Sequence, residues 1–130
     1  MKITMALFGE SSKGTIAYPY FIDSLGGLYD TCGFAPEESD GIGLAIQSLM
    51  YDFDLIYFRV HEEGFSKKDY FLGLDFFKNQ QIKHLEAIAL PKVGDREIIG
   101  KTDEICKIYK SLLIFSEKDL FDYLTSNVKK

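Results

Sequence analysis

Cysteine and proline are scarce in this 130-residue chain, with two of the first and three of the second. Cys32 and Cys106 stand far apart with no Cys-x-x-Cys pairing, which excludes a disulfide framework and a metal knuckle, so both read as reduced thiols. Linkers, repeats and low-complexity tracts are also missing, and a single α/β domain spanning 1–130 is expected. No apolar run approaches the roughly 20 residues that a membrane span needs. Met1 to Gly9 is too short and lacks the cleavage-like site of a secretory signal, so no membrane contact and a cytoplasmic location are expected. Basic residues are outnumbered, 15 Lys and Arg against 20 Asp and Glu, for a formal charge of −5. The broad positive footprint of a nonspecific nucleic-acid binder is therefore missing, and no nucleic-acid partner is expected.

What is present is the composition of a packed domain. Hydrophobic residues make up 46 % and charged residues 27 %, which excludes a disordered chain, and 11 Phe with 8 Tyr supply much of the core material. Four short apolar runs have strand character without polar alternation: Ile3 to Phe8, Leu55 to Val60, Leu85 to Leu90 and Leu112 to Phe115. Strands of that kind are buried on both faces. Between them Ile42, Ala45, Ile46, Leu49 and Met50 recur at helical spacing, and Ile98, Ile99, Ile105, Cys106 and Tyr109 trace a second stripe. Ser66 with Asp69, and Ser116 with Asp119, have the spacing of a capping box with Asp in place of Glu, so helices are expected to begin there. Pro19 suits the first turn of another helix through Phe21, Ile22, Leu25 and Leu28, which Gly33 would stop after Cys32.

Strands separated by helices run parallel through right-handed crossovers. The expected fold is a three-layer α/β/α sandwich with a mainly parallel four- to five-stranded sheet, flavodoxin-like or Rossmann-like in architecture. The long first connection leaves room for a further short strand near Gly33 to Pro36. Ligands of such sheets settle beyond the carboxyl ends of the strands, which singles out the loops that follow them.

The first loop, Gly9 to Thr15, contributes Ser11, Ser12, Lys13, Gly14 and Thr15 as candidate anion-binding residues. It is not a Walker A loop, because Thr15 stands where the essential lysine belongs. Through Ser11, Ser12, Gly14 and Thr15 it is similar to the phosphate loop of flavodoxins, a resemblance of about a dozen residues that implies a flavin or nucleotide ligand, with Phe65 on the ring. The competing reading is a solvated polar turn. No cofactor follows from the residues themselves.

The second loop, Arg59 to Ser66, is the densest chemistry in the chain. His61, Glu62 and Glu63 at a strand end, with Asp69 following, are candidates for acid or base catalysis, and Phe65 is a candidate ligand contact. The order of strand, Ser66 and acidic helix start is similar to that of nucleoside deoxyribosyltransferases and Toll/interleukin-receptor-like domains. That resemblance implies N-glycosidic bond chemistry carried by a helix glutamate, and this helix carries Asp69 and Asp75 instead. The competing reading makes Asp69 a helix cap and Glu62 and Glu63 solvated. Arg59, in an apolar strand, either binds an anion at the crevice, points outward, or pairs with Glu62, Glu86 or Asp54. In the third loop Lys92 is a further candidate ligand contact, and Asp95 is placed to cap the helix of Ile98. His61 and His84 show no metal-ligand spacing, so no metal site is expected.

Tyr70, Phe71, Leu72, Leu74, Phe76 and Phe77 wrap most of one helix, which implies deep burial or a protein contact, most simply a homodimer. Two functions stay open. The first is a non-enzymatic binding or interaction protein that uses the Tyr70 to Phe77 helix; the second is a small enzyme or sensor that binds a nucleotide, nucleoside or flavin at the sheet edge.

Overall fold

A computed structural model describes residues 3–79 and 82–128. Five strands and five helices follow one another as β1 (Thr4–Gly9), β2 (Tyr20–Ile22), α1 (Leu25–Cys32), α2 (Gly41–Met50), β3 (Asp54–Arg59), α3 (Lys67–Lys78), β4 (Ala87–Ala89), α4 (Arg96–Tyr109), β5 (Leu112–Ile114) and α5 (Glu117–Val128). The sheet order is β2-β3-β1-β4-β5. All neighbours are parallel except β2, which lies antiparallel on β3 with Phe21 opposite Ile56. This is the expected three-layer α/β sandwich. Among the described residues no helix is long and apolar enough to cross a membrane.

The alternation of β1 and β3 divides two cores. Met5, Leu7, Leu55 and Tyr57 point to one face, where Leu28 and Cys32 of α1, Ile42, Leu44 and Ala45 of α2, and Leu120 and Leu124 of α5 cover them. Ala6, Phe8, Ile56 and Phe58 point to the other, under Tyr70, Leu74 and Phe77 of α3 and Ile98, Ile105 and Cys106 of α4. Phe8 and Phe58 are partners in register and stack with ring centroids 4.5 Å apart. Gly73 lets α3 settle on that stack, since a Cβ there would fall 2.5 Å from the Phe8 ring.

Two expectations about the first connection are corrected. The helix does not begin at Pro19: Tyr20 to Ile22 form the edge strand, and α1 starts at Leu25 behind Ser24, whose Oγ accepts the Gly27 amide at 3.0 Å. The additional strand is therefore this one, and Gly33 to Pro36 are irregular, with a bend at Phe34 and the turn following at Glu37 and Glu38. Gly33 does close α1, with φ 74° and its amide donating to Tyr29 O. The aromatic helix α3 is largely an internal element. Tyr70, Leu74 and Phe77 are fully buried, Phe71 and Phe76 are half-buried, and Leu72 is exposed.

Candidate functional site

The helices that follow β1 pack on one face of the sheet and the helix that follows β4 on the other, so the chain leaves these adjacent strands in opposite directions. A crevice opens at such a reversal. Here it measures about 570 Å³ and is lined by Glu10 after β1, Glu37 and Glu38 before α2, His61, Glu62, Glu63 and Phe65 after β3, and Lys92 after β4. Five carboxylates face one lysine and one histidine, so the crevice is strongly negative.

Glu63 organises its floor. The N-terminus of α2 has no cap of its own, because the Asp40 side chain makes no capping bond. Glu63 arrives from the β3 loop instead, where Oε1 accepts the Asp40 amide at 2.8 Å and Oε2 accepts the Gly41 amide at 2.9 Å and the Glu10 amide at 2.8 Å. The residue is 2 % exposed. Three backbone N–H groups and the positive end of the helix dipole thus hold one buried carboxylate. In return the Glu63 amide donates to Glu10 Oε2 at 2.9 Å.

The junction admits no side chains. A Cβ on Gly9 would lie 2.6 Å from the Cα of Gly41, and one on Gly41 would lie 2.5 Å from the Tyr57 hydroxyl. That hydroxyl donates to Glu10 O at 2.8 Å. Burial, and after it the Glu63 carboxylate, push the Tyr57 phenol well above its usual range.

The rim is held just as firmly. Asp69, buried in the first turn of α3, accepts the His61 amide at 2.8 Å and pairs with His61 Nδ1 at 2.8 Å. The expected capping box is corrected here, because Ser66 Oγ makes no capping bond on α3 and donates to Glu62 O, while Asp69 turns to His61. With a proton on Nδ1, His61 presents Nε2 as an acceptor from an exposed ring. The Gly64 amide donates to Tyr70 Oη at 2.8 Å, and Lys92 Nζ donates to Glu38 O. Gly64 has φ 89° and its Cβ would lie 2.4 Å from Lys92 O, so only glycine fits. Glu38 and Lys92 carry φ of 60° and 69° without that freedom. Phe65 stands 71 % exposed beside them.

The remaining candidates lie elsewhere. Ser12 Oγ accepts the Phe34 amide at 2.7 Å and Ser11 Oγ donates to Lys13 O at 2.9 Å, which folds the Gly9 to Thr15 loop against the end of α1. Thr15 donates its amide to Tyr20 Oη, and Arg59 Nη1 donates to Gly14 O at 2.7 Å. Ser11, Ser12, Lys13, Gly14, Thr15 and Arg59 therefore form a group on the β2 side, while His61, Glu62, Glu63, Phe65 and Lys92 meet at the crevice. Asp95 caps α4 as expected, accepting the Glu97 and Ile98 amides. Sequence reasoning missed Glu10, Glu37 and Glu38 on the crevice wall. The signal for Glu10 was its place directly after β1; nothing marked the other two. Among the described residues no group of three or more His, Cys, Asp or Glu side chains is arranged to hold a metal ion.

In comparisons with known proteins, no family model, no curated protein and no solved structure matches the chain.

Proposed function

We propose that this protein is a binding module that holds a flat, uncharged or cationic small molecule, of which a nucleoside is the type, in the crevice at the carboxyl ends of β1, β3 and β4. The observation that carries this reading is the crevice itself, at the strand-order reversal, with the exposed Phe65 ring set among carboxylates. Of the non-glycine residues with positive φ among the described residues, Glu38 and Lys92 line it on two different connections, while Ala17, Asp52 and Lys110 lie elsewhere. Left-handed conformations at non-glycine residues are costly and persist where the surrounding structure enforces them, most often at functional sites. Phe65 offers a ring face for stacking, and the ring of carboxylates favours a ligand without negative charge.

The polar groups support binding more than catalysis. Glu63, Ser66 and Asp69 are engaged with other parts of the chain, and the serine nearest in sequence to His61, Ser66, bonds Glu62. An enzymatic reading rests on His61 alone, as a proton acceptor oriented by Asp69.

The test is a thermal-shift series with adenosine, guanosine, cytidine and uridine against the protein and its Phe65→Ala variant. A concentration-dependent rise in Tm that disappears in the variant supports the reading. A flat response to all four contradicts it.

A second reading, self-association, is favoured by one observation. Phe21 on the edge strand is 64 % exposed, packs its ring against Phe76 at 6.2 Å and lies on the same face as exposed Leu72 of α3. Such a strip on a sheet edge suits a symmetric contact. Light scattering that gives twice the chain mass, lost on Phe21→Ser, would support it.

A further inference from the structure

We infer that Glu63 is a specificity-determining residue of the crevice, an internal anion standing where a ligand's phosphate would otherwise be held. This deepens the reading above and rests on it for the identity of the ligand, although the role of Glu63 is tested separately. Amides at a helix N-terminus that opens into a crevice at a strand-order reversal form a ready anion site. In this chain the amides of Asp40 and Gly41, joined by that of Glu10, are already satisfied at 2.8 to 2.9 Å by a carboxylate of the same chain. The carboxylate is buried and takes up all three amides, so they are left with nothing to offer a second anion. Glu10, Glu37, Glu38 and Glu62 add repulsion along the approach. The crevice is accordingly closed to a phosphate at its floor, and its ligand is an unphosphorylated molecule.

The test uses inorganic phosphate and acetate on the full chain, each against potassium chloride of matched ionic strength. The wild-type Tm is expected to stay flat with both. Glu63→Ala empties the anion position, so its Tm, lower in chloride, is expected to rise by about 3 °C or more with either anion. If this variant does not fold in chloride, recovery of its far-ultraviolet circular dichroism on adding phosphate or acetate is the same result. Glu63→Gln, which keeps the volume filled, is expected to respond to neither. A phosphate-dependent rise in wild-type Tm, or no rescue of Glu63→Ala by either anion, overturns the inference. Adenosine and adenosine monophosphate separate the two claims. Wild-type protein is expected to respond to the nucleoside alone. A response to adenosine without anion rescue of Glu63→Ala refutes the role of Glu63 and leaves the crevice reading standing. Anion rescue without any nucleoside response does the reverse.

Discussion

Glu63 and Glu10 exchange backbone amides, each donating its N–H to a carboxylate oxygen of the other, at 2.9 and 2.8 Å. The residues are 53 apart in sequence, and the exchange locks the loop after β3 to the loop after β1. Because Glu63 also caps α2, one carboxylate ties together three segments that approach the crevice.

The first prediction concerns the strength of that tie. Glu63→Gln keeps the shape but replaces one acceptor oxygen by a donor that faces backbone N–H groups, and an unsatisfied buried donor is costly. A loss of about 3 kcal/mol or more in unfolding free energy is expected, by analogy with breaking other buried charge-assisted contacts. Urea denaturation measures it, with the midpoint falling and the slope unchanged.

Gly9→Ala and Gly41→Ala test the same junction through sterics. Each places a methyl group within 2.7 Å of the other glycine's Cα, where neither backbone has room to retreat, and a loss of about 3 kcal/mol or more is expected from such overpacking. Gly43, two residues further along α2, meets nothing within 4 Å. Gly43→Ala is therefore expected to stabilise by about 0.5–1 kcal/mol through helix propensity. If all three substitutions destabilise alike, the clash at the Gly9 and Gly41 contact is not the cause.

How much of this was legible in the sequence depends on the range of the interaction. β1 and β3 declared themselves as apolar runs because both their faces are covered, and α2 and α4 as stripes because one face of each is buried. Tyr20 to Ile22 did not, since a three-residue edge strand has no periodicity, and Phe21 and Ile22 happen to share helical spacing with Leu25 and Leu28. The spacing of Ser66 and Asp69 matched a capping box, yet the Asp69 carboxylate takes the His61 amide and ring, and the Ser66 amide donates to Glu62 O instead. Arg59 was recognised as anomalous, but its partner is the carbonyl of Gly14, and a backbone acceptor leaves no trace in side-chain identity. Glu63 was singled out at a strand end while its partners, the amides of Glu10, Asp40 and Gly41, were invisible for the same reason.

Alkaline pH should weaken the fold through its buried thiols. Burial raises Cys32 from 9.0 to about 11 against the opposing pull of Arg59 and Lys13, and raises Cys106 to about 11. A folded value above the unfolded one means that the contribution is complete below pH 9 and is lost as pH rises from 9 towards 11. Unfolding free energy is expected to fall across that window, and the Cys32→Ala, Cys106→Ala double variant is expected to show a shallower decline. Tyr57, also raised by burial, acts in the same direction and keeps the decline from vanishing. Both thiols should react slowly with a disulfide reagent at pH 8 until the protein is denatured. Equal slopes in the two proteins would exclude the thiols as the source.

Phe65 separates binding from folding. Its side chain is largely exposed, so Phe65→Ala is expected to change unfolding free energy by no more than about 0.5 kcal/mol. The affinity for a stacking ligand should drop at least about tenfold, in line with the energy of base–aromatic contacts. Isothermal titration with whichever nucleoside gives the largest thermal shift measures the drop, and an unchanged affinity would remove Phe65 from the site.

The most direct test of the central claim is an amide-resolved NMR titration of nitrogen-15-labelled protein with the four nucleosides in turn. The crevice reading predicts that at least one of them shifts the amides of Glu10, Glu38, Gly64, Phe65 and Lys92 together, with a common saturation curve. Shifts confined to Phe21, Leu72 and Phe76, or no shifts at millimolar nucleoside, would contradict it.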